Sequence, residues 1–380
     1  MNEIRYPFLD LRAVNAPYFD LLTSTAKSEI ESGRYIGGQT IADFNRRLAE
    51  VCGAETAVGV SNGLDALRLI FEGYKLMGRL HEGDEVIVAA NTYIASILAI
   101  SHAGLRPVPV DPDESTFNLS ARGIEHAISD RTRAILIVDF YGRINWNKDI
   151  KRLAEQYSLL VVEDAAQAIG ARSNTPGLFG SDKAGAIGHA GAFSFYPTKN
   201  VGALGDGGAV VTHDPMLAQT VAALANYGSD RRYHNLYQGF NCRLDPMQAA
   251  FISLKLNDLQ QISERRRKRA EAYNRLINND LVIKPSMPTD RNESVWHQYV
   301  VRVDGCRRQQ FIDHLIANGV GWDIHYPTPP HKQPCYAEEF AGISFPIAER
   351  LADECVSLPI ADPLTVADIA EIATIINSFK

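Results

Sequence analysis

Short apolar runs rich in β-branched residues alternate with helix-patterned segments through the first two thirds of the chain. Between the runs, segments such as residues 64–77 and 150–160 repeat apolar residues at the helical period. Near-continuous apolar strands that alternate with helices are typical of a parallel sheet covered on both faces, so the sequence predicts an α/β fold. The predicted strands are TAVGV (56–60), DEVIVAA (84–90), LRPVPV (105–110), RAILIVDF (133–140) and LLVVEDA (159–165).

Beyond these runs the pattern changes. Two more predicted strands, AGAFSF (190–195) and GAVVT (208–212), are separated by a glycine-rich turn, and residues 245–278 predict one long helix or two in tandem. Within that helical segment, the charged run ERRRKR is interpreted as a solvated helix face. We expect a large α/β domain over residues 1–255 and a small α+β domain over residues 256–380.

Composition and charge exclude several classes of partner. The 380 residues carry a formal net charge of -7 and no apolar stretch long enough to span a bilayer, so neither nucleic acid nor membrane is expected. The amino-terminal MNEIRYPFLDLR does not have the pattern of a signal peptide. No zinc or other metal site is predicted, because the five cysteines are far apart and contain no CxxC. We expect a cytoplasmic protein with reduced thiols.

Three loops follow predicted strand ends, where the ligands of open α/β sheets bind. In the first, Ser61, Asn62 and Gly63 lead from a strand into a helix, whose amino terminus suits a phosphate. Taken alone, a simple cap by Ser61 or Asn62 explains this loop better. The chain contains neither GxxxxGK[ST] nor GxGxxG, the motifs that usually indicate ATP-binding and dinucleotide-binding sites.

The second and third loops carry a carboxylate and an amine. Asp164 ends a buried strand and needs a cation or a strong donor, although a structural salt bridge would also explain it. Glu163 should point to the opposite face of the sheet. Lys199 lies in FSFYPTKNVGALGDGGAVV (193–211), between an apolar run and a glycine cluster. It is either a snorkelling surface residue or an amine of depressed pKa that attacks carbonyl groups.

Joined together, the three loops offer a phosphate cradle, a buried carboxylate and a nucleophilic amine. Pyridoxal 5'-phosphate has a phosphate, a pyridine nitrogen that needs an acidic partner and an aldehyde that reacts with lysine. The match is of three protein groups to three cofactor groups, and it predicts a pyridoxal-phosphate enzyme.

Four separated motifs resemble the vitamin-B6-dependent nucleotide-sugar aminotransferases of the DegT/StrS family. The motifs are VEDAAQAIGA, FSFYPTKNVGALGDGGAVVT, NYGSDRRYHNLYQGFNCRLDPMQAA and HYPTPPHKQ, in that order along the chain. The resemblance extends from FLDLR near the start to SLPI near the end. It implies an aspartate aminotransferase-like fold (fold type I of the PLP-dependent transferases), with a mixed, mostly parallel sheet. It also implies a homodimer whose active sites are shared between subunits.

The resemblance assigns roles around the cofactor ring. Lys199 would form the Schiff base with pyridoxal phosphate and later act as acid and base for the proton shift. Asp164 would keep the pyridine nitrogen protonated, so that the ring withdraws electrons, and Gln167 would hold the ring hydroxyl. Tyr93 would stack on the ring, although core packing is the alternative for this residue.

The resemblance also implies a set of phosphate ligands. The backbone N–H groups of Gly63 and Leu64 and the hydroxyl of Ser194 would bind the phosphate from one subunit. Asn241 would reach the same phosphate from the other subunit, with loop capping as the alternative.

Within the family, NTYIASILAI and IHYPTPPHKQ most resemble the branch that aminates C3 of dTDP-linked 3-keto-6-deoxyhexoses. By this resemblance, the sugar and diphosphate pocket would be lined by Tyr196, Arg232, His325 and Tyr326. Arg232 stands where the family often has lysine, and for His325 the alternative is a packed or solvated loop histidine. The segment YGRINWNKDI departs from the more usual pattern, which leaves any substrate contact there open.

The implied reaction is a ping-pong transamination with an amino-acid donor, L-glutamate, and a dTDP-linked keto-sugar as acceptor. The alternatives are amination at C4 of a related nucleotide sugar and a non-catalytic regulator that binds pyridoxal phosphate. A regulator would be expected to carry a DNA-binding module or a basic face, and the chain shows neither. A sugar dehydratase of this family would have histidine in place of Lys199, and a cysteine desulfurase would need a catalytic thiol, for which Cys335 has no supporting motif.

Overall fold

A computed structural model describes residues 4–380 of the chain. Residues 1–3, which begin both the predicted large domain and the stretch MNEIRYPFLDLR, lie outside the described residues. The helices are α1 (Leu11–Asn15), α2 (Phe19–Ser32), α3 (Gln39–Cys52), α4 (Gly63–Leu76), α5 (Ile94–His102), α6 (Ala121–Ala127), α7 (Lys148–Gln156), α8 (Pro215–Ala225), α9 (Pro246–Leu256), α10 (Leu259–Leu276), α11 (Gly305–Ala317), α12 (Pro346–Glu354) and α13 (Val366–Asn377). The strands are β1 (Thr56–Val60), β2 (Glu85–Ala89), β3 (Arg106–Val110), β4 (Thr132–Val138), β5 (Leu160–Asp164), β6 (Ala190–Ser194), β7 (Gly208–Thr212), β8 (Ser229–Arg231), β9 (His234–Asn235), β10 (Val282–Ile283), β11 (Tyr299–Val303) and β12 (Cys355–Leu358).

A seven-stranded sheet forms the centre of the fold, in the order β1-β7-β6-β5-β4-β2-β3. Only β7 pairs antiparallel with its neighbours β1 and β6, so the mixed, mostly parallel α/β sheet is confirmed. The start of β7 lies between the ends of two strands, because Gly208 pairs with both Val60 and Ser194. Asp164, the last residue of β5, pairs with Ala192 of the next strand. The carboxyl ends of β1, β5 and β6 therefore meet at one edge of the sheet.

Helices cover both faces of this sheet. On one face α3, α7 and α9 contribute apolar side chains to a continuous core, and on the other face α4, α5 and α8 do the same. Strand alternation divides the residues between the two cores, so that Ile87 lies in the first and Val86 and Val88 in the second. A sheet buried on both faces explains why its strands read as near-continuous apolar runs.

The carboxy-terminal part is built on a three-stranded antiparallel sheet, β10-β11-β12. The helical segment 245–278 forms two helices, α9 and α10, which are separated at Asn257 and Asp258. Tyr273 on α10 stacks on Tyr299 of β11, with ring centroids 4.8 Å apart, in the core of this unit.

The prediction of a solvated face for ERRRKR was wrong. Arg266, Arg267 and Arg269 on α10 are only 6%, 6% and 4% exposed. Their guanidinium groups donate to main-chain carbonyl groups, for example that of Arg267 to Ser294 and that of Arg269 to Ile360. The planar fork of an arginine can satisfy buried carbonyl groups while its stem packs in the core, so a charged run on a helix does not by itself indicate a solvated face.

A short hairpin, β8–β9, projects from the large sheet unit, and Tyr233 at its turn is 88% exposed.

None of the helices in the part of the chain that the structure describes is long and apolar enough to cross a bilayer.

Candidate functional site

A cavity of about 500 Å³ opens at the edge where β1, β5 and β6 end. It brings together most of the residues that the sequence analysis proposed: Gly63, Leu64, Tyr93, Asp164, Gln167, Ser194, Tyr196, Lys199, His325 and Tyr326. Arg232 and Asn241 do not line this cavity. Both are exposed, with Arg232 between β8 and β9 and Asn241 in the segment that follows the hairpin.

The amino terminus of α4 forms one wall of the cavity. The Asn62 side chain accepts a hydrogen bond from the Asp65 N–H at 2.8 Å, so the helix does have a simple cap. Gly63 and Leu64 occupy the first two helical positions, where an N–H group has no intrahelical partner. A Cβ on Gly63 would lie 2.8 Å from the Cβ of Ser194, so only glycine lets the helix start this close to β6. The Asn62 cap therefore leaves the N–H groups of Gly63 and Leu64 without an intrahelical partner, as the predicted phosphate cradle requires.

Asp164 lies on the cavity floor and is 8% exposed. Its Oδ2 accepts from the Ser96 hydroxyl at 2.7 Å and its Oδ1 from the Ala166 N–H at 3.2 Å. Burial raises the pKa of the Asp164 carboxyl, while these donors and the nearby Lys199 ammonium oppose the rise. Asp164 makes no ion pair with any residue that the structure describes, so the salt-bridge interpretation finds no partner here.

Glu163, the preceding residue, faces the other side of the sheet, as strand alternation predicted. Its carboxylate accepts hydrogen bonds from the N–H groups of Gly185, Ile187 and Gly188 at 2.7–2.8 Å. Adjacent carboxylates thus serve different purposes, since Glu163 orders a loop and Asp164 faces the cavity.

Lys199 enters the cavity from the turn after β6, where its N–H donates to the carbonyl of Tyr196 at 2.8 Å. Burial lowers the pKa of its amine to about 8, although the Asp164 carboxylate opposes this shift. The lowered pKa increases the uncharged fraction of the amine near neutral pH, and the uncharged form is the one that attacks a carbonyl carbon. Lys199 is half-buried in the cavity lining, which does not fit a snorkelling lysine on the outer surface.

Aromatic side chains line the opposite wall. The rings of Tyr93 and Tyr326 lie 4.9 Å apart, between centroids, and the Tyr326 hydroxyl accepts from Gln167 Nε2 at 3.2 Å. Gln167 Oε1 accepts the N–H of Tyr141 at 2.6 Å, which fixes the orientation of the amide. His325 shares a hydrogen bond with Ser357 Oγ at 2.8 Å through Nδ1.

Sequence reasoning missed several residues of the cavity. Ser96 donates to Asp164 from α5, and His297, Gln298 and Asp206 also line the cavity wall. A serine within the apolar helix IASILAI was the available signal for Ser96. Residues 297 and 298 come from the carboxy-terminal part of the chain, and nothing in their local sequence indicates which loop they approach.

Comparison with known proteins identifies close relatives. Residues 22–377 match the model of the DegT/DnrJ/EryC1/StrS aminotransferase family. The chain is 44% identical over 373 residues to the dTDP-3-amino-3,6-dideoxy-alpha-D-galactopyranose transaminase of Aneurinibacillus thermoaerophilus, which covers 98% of this chain and 99% of the relative. It is 41% identical to the dTDP-3-amino-3,4,6-trideoxy-alpha-D-glucose transaminase of Streptomyces venezuelae, over 95% of this chain and 92% of the relative. The crystal structure of S. venezuelae DesV superposes with a TM-score of 0.90 at 40% identity, covering 98% of each chain.

Proposed function

The chain belongs to the DegT/DnrJ/EryC1/StrS aminotransferase family, and we propose that it transfers an amino group to C3 of a dTDP-linked 3-keto-6-deoxyhexose. L-glutamate is the proposed amino donor and a dTDP-3-amino-3,6-dideoxyhexose the product. The observation that carries the proposal is the cavity itself, in which the lowered-pKa amine of Lys199 and the buried Asp164 share one space with the cradle of Gly63 and Ser194.

The donor set of this cavity fits pyridoxal 5'-phosphate, which we propose as the cofactor. The N–H groups of Gly63 and Leu64 and the hydroxyl of Ser194 would hold its phosphate. Asp164 would bind the pyridine nitrogen, Gln167 the ring hydroxyl and Tyr93 the ring face, in the roles that the sequence predicted. The chemistry supplied by the bound cofactor is an aldehyde that captures amines and a ring that withdraws electrons from the captured carbon.

Lys199 has two proposed tasks. As a neutral amine its Nζ would be the group that bonds the cofactor's aldehyde, and its lowered pKa of about 8 favours this form more than in an ordinary lysine. With the amino donor in its place, the Nζ of Lys199 would act as the base for the proton on the donor's α-carbon in the first half of the cycle and as the acid toward the sugar carbon in the second half.

Asp164 provides a fixed negative charge for the ring. A protonated ring nitrogen of the bound cofactor would favour the charged form of Asp164, which burial alone disfavours. The Ser96 hydroxyl and the Ala166 N–H hold the two oxygens in place, so the carboxylate does not have to reorganise during the reaction.

The acceptor sugar is proposed to lie against Tyr196, His325 and Tyr326, which border the same cavity. Arg232 and Asn241 are proposed to act in the active site of the partner subunit of a homodimer, Arg232 on the diphosphate and Asn241 on the cofactor phosphate. Their exposed positions, outside the cavity of their own chain, agree with this arrangement.

The test of this function is a substrate panel. The purified protein, loaded with pyridoxal phosphate, is incubated with L-glutamate and a set of 3-keto and 4-keto nucleotide sugars, and products are read by mass and NMR. We expect amination of a dTDP-3-keto-6-deoxyhexose. Amination of 4-keto sugars alone would refute the proposed position, and no amination of any sugar would refute the proposed substrate class.

A further inference from the structure

A second cavity, of about 610 Å³, adjoins the turn that carries Lys199. Its walls come from the amino-terminal helices α1 and α2, from α10 and from residues 362–366. Thr198 and Lys199 line both this second cavity and the cavity at the strand ends. The proposed mechanism gives the second cavity no task.

The charges around the second cavity are unbalanced. Among the described residues that line it, two side chains are carboxylates and six are cationic: Lys199, Lys255, Arg265, Arg266, Lys268 and Arg269. One carboxylate, Asp362, already pairs with two of the arginines, and the other, Asp258, accepts a hydrogen bond from the Tyr18 hydroxyl at 2.8 Å. Lys255 and Arg266 make no ion pair with any residue that the structure describes.

Lys255, on α9, is a buried amine without a counter-ion. It is 4% exposed, and its Nζ donates to the carbonyl of Gly202 at 2.5 Å. An ammonium group has three N–H donors, so two of them remain without a partner among the described residues. Burial lowers the pKa of Lys255 to about 8, and no charge of a described residue opposes this shift. A bound anion would supply the missing counter-charge.

Arg266, on α10, keeps one edge of its guanidinium group free. Its Nη1 donates to the carbonyls of Trp296 and His297, both at 3.1 Å. Its Nε and Nη2 make no hydrogen bond within the described part of the chain, and neither atom is sealed from solvent. The N–H groups of these two atoms form the fork that binds two oxygens of a carboxylate or a phosphate. Because Arg266 lines the second cavity, the free fork opens into it.

The two buried cations approach the same short segment of the chain. Lys255 bonds the carbonyl of Gly202, and Arg266 bonds the carbonyl of His297. The His297 ring in turn shares a hydrogen bond with Asn200 Oδ1 at 3.1 Å. Both cations therefore flank residues 200–202, which directly follow Lys199.

We propose that the second cavity binds a small oxyanion, held by the Nε–Nη2 edge of Arg266 and by the ammonium group of Lys255. Two buried cations without counter-ions carry a desolvation cost, which a bound oxyanion offsets. A phosphate group and a carboxylate group both have this chemistry. The site goes beyond the proposed transamination, in which neither Arg266 nor Lys255 takes part.

The test compares two lysines of the same cavity. Lys255→Met removes the buried ammonium, whereas Lys268→Met removes an exposed one that pairs with Glu264 at 4.0 Å. Binding of inorganic phosphate and of glutarate to the purified protein is measured by isothermal titration calorimetry. Glutarate presents carboxylates but has no amino group, so it cannot act as an amino donor. Phosphate bound at the cradle of Gly63 and Ser194 would contribute equally in all three proteins.

We expect phosphate or glutarate to bind the wild type and Lys268→Met with the same affinity. Lys255→Met should bind that anion about 10- to 100-fold more weakly, because a hydrogen bond between charged groups is lost. Tighter binding of phosphate would assign the site to a phosphate group, and tighter binding of glutarate would assign it to a carboxylate. Absence of binding by both anions, or an unchanged affinity in Lys255→Met, would overturn the proposal.

A measurement on the wild-type protein covers the case in which Lys255→Met does not fold. The rate at which an amine-reactive reagent labels Lys255, read by peptide mass mapping, should fall as the anion is added, because the anion covers the amine and favours its charged form. Lys284, which donates to the carbonyls of Asn274 and Ile277 outside the cavity, is the internal control and should be labelled at a constant rate. A Lys255 rate that stays unchanged at high concentrations of both anions would refute the site.

Discussion

Replacing Ser96 by alanine tests how the site controls Asp164. The Ser96 hydroxyl is fully buried and donates to Asp164 Oδ2 at 2.7 Å. Alanine removes that donor, and because it is a strong helix former it leaves α5 undisturbed. The Ala166 N–H, at 3.2 Å, then remains as the hydrogen-bond donor to the carboxylate.

The size of the effect follows from the charge on the acceptor. A hydrogen bond to a charged group is worth about 1.5–3 kcal/mol, and one pKa unit corresponds to about 1.4 kcal/mol. Because the bond stabilises the charged carboxylate, its loss should raise the pKa of Asp164 by about one to two units. Activity depends on the charged carboxylate of Asp164. The acidic limb of the plot of kcat against pH should therefore move to higher pH by the same amount. At a pH on that limb, the rate should fall about 10- to 100-fold.

The assay is kcat against pH for Ser96→Ala and for a matched control, Thr92→Val. Thr92 bonds to Ser96 at 2.8 Å but does not bond to Asp164, so Thr92→Val should leave the acidic limb where it is. An unshifted limb in Ser96→Ala would refute the reasoning, as would an equal shift in both variants. At pH values well above the acidic limb, the rate of Ser96→Ala should approach that of the wild type.

The remaining predictions concern the cofactor and the assembly. Borohydride reduction of the protein loaded with pyridoxal phosphate should fix the label on Lys199, and a peptide map that places it on another lysine would contradict the assignment. Asp164→Asn should keep the fold, as judged by circular dichroism, but cut turnover by orders of magnitude because a neutral pyridine nitrogen is a poor electron sink; near-normal turnover would make Asp164 a structural residue. Mixing inactive Lys199→Ala chains with inactive Asn241→Asp chains should restore part of the activity, because one of the two shared sites then has both intact residues. If Asn241 served its own chain, both sites would keep a lesion and no activity would return.

Much of the fold could be predicted because its strands are buried on both faces. All seven strands of the large sheet were predicted from apolar runs, with ends that differ by only a few residues. The two charged residues at the centre of the proposed site, Asp164 and Lys199, stood out because charge is costly beside such runs. Strand order and the reversed direction of β7 did not follow from the pattern, since both depend on pairings between distant segments.

The parts of the site that were missed depend on tertiary contacts. His297 reaches the cavity because Arg266, on a helix earlier in the chain, binds the carbonyls of the loop that carries it. The same arginine belongs to the run that was interpreted as a solvated surface. The sequence shows where the charged residues are. Whether a guanidinium group is hydrated or bonds a main-chain carbonyl depends on the residues that pack against its helix.

The position of β7 between β1 and β6 has a consequence for the nascent chain during translation. β1 ends at Val60, yet the strand that pairs with it begins at Gly208, about 150 residues later. At a synthesis rate of about 5–20 residues per second, the ribosome needs roughly 7–30 s to produce the missing strand. During that time the edge of β1 that later pairs with β7 is open, and until residue 194 has been made the start of α4 has no Ser194 to face. An amino-terminal fragment that stops before residue 208 should therefore be a substrate for chaperones and proteases, and slowing translation between the two strands should reduce the yield of native protein.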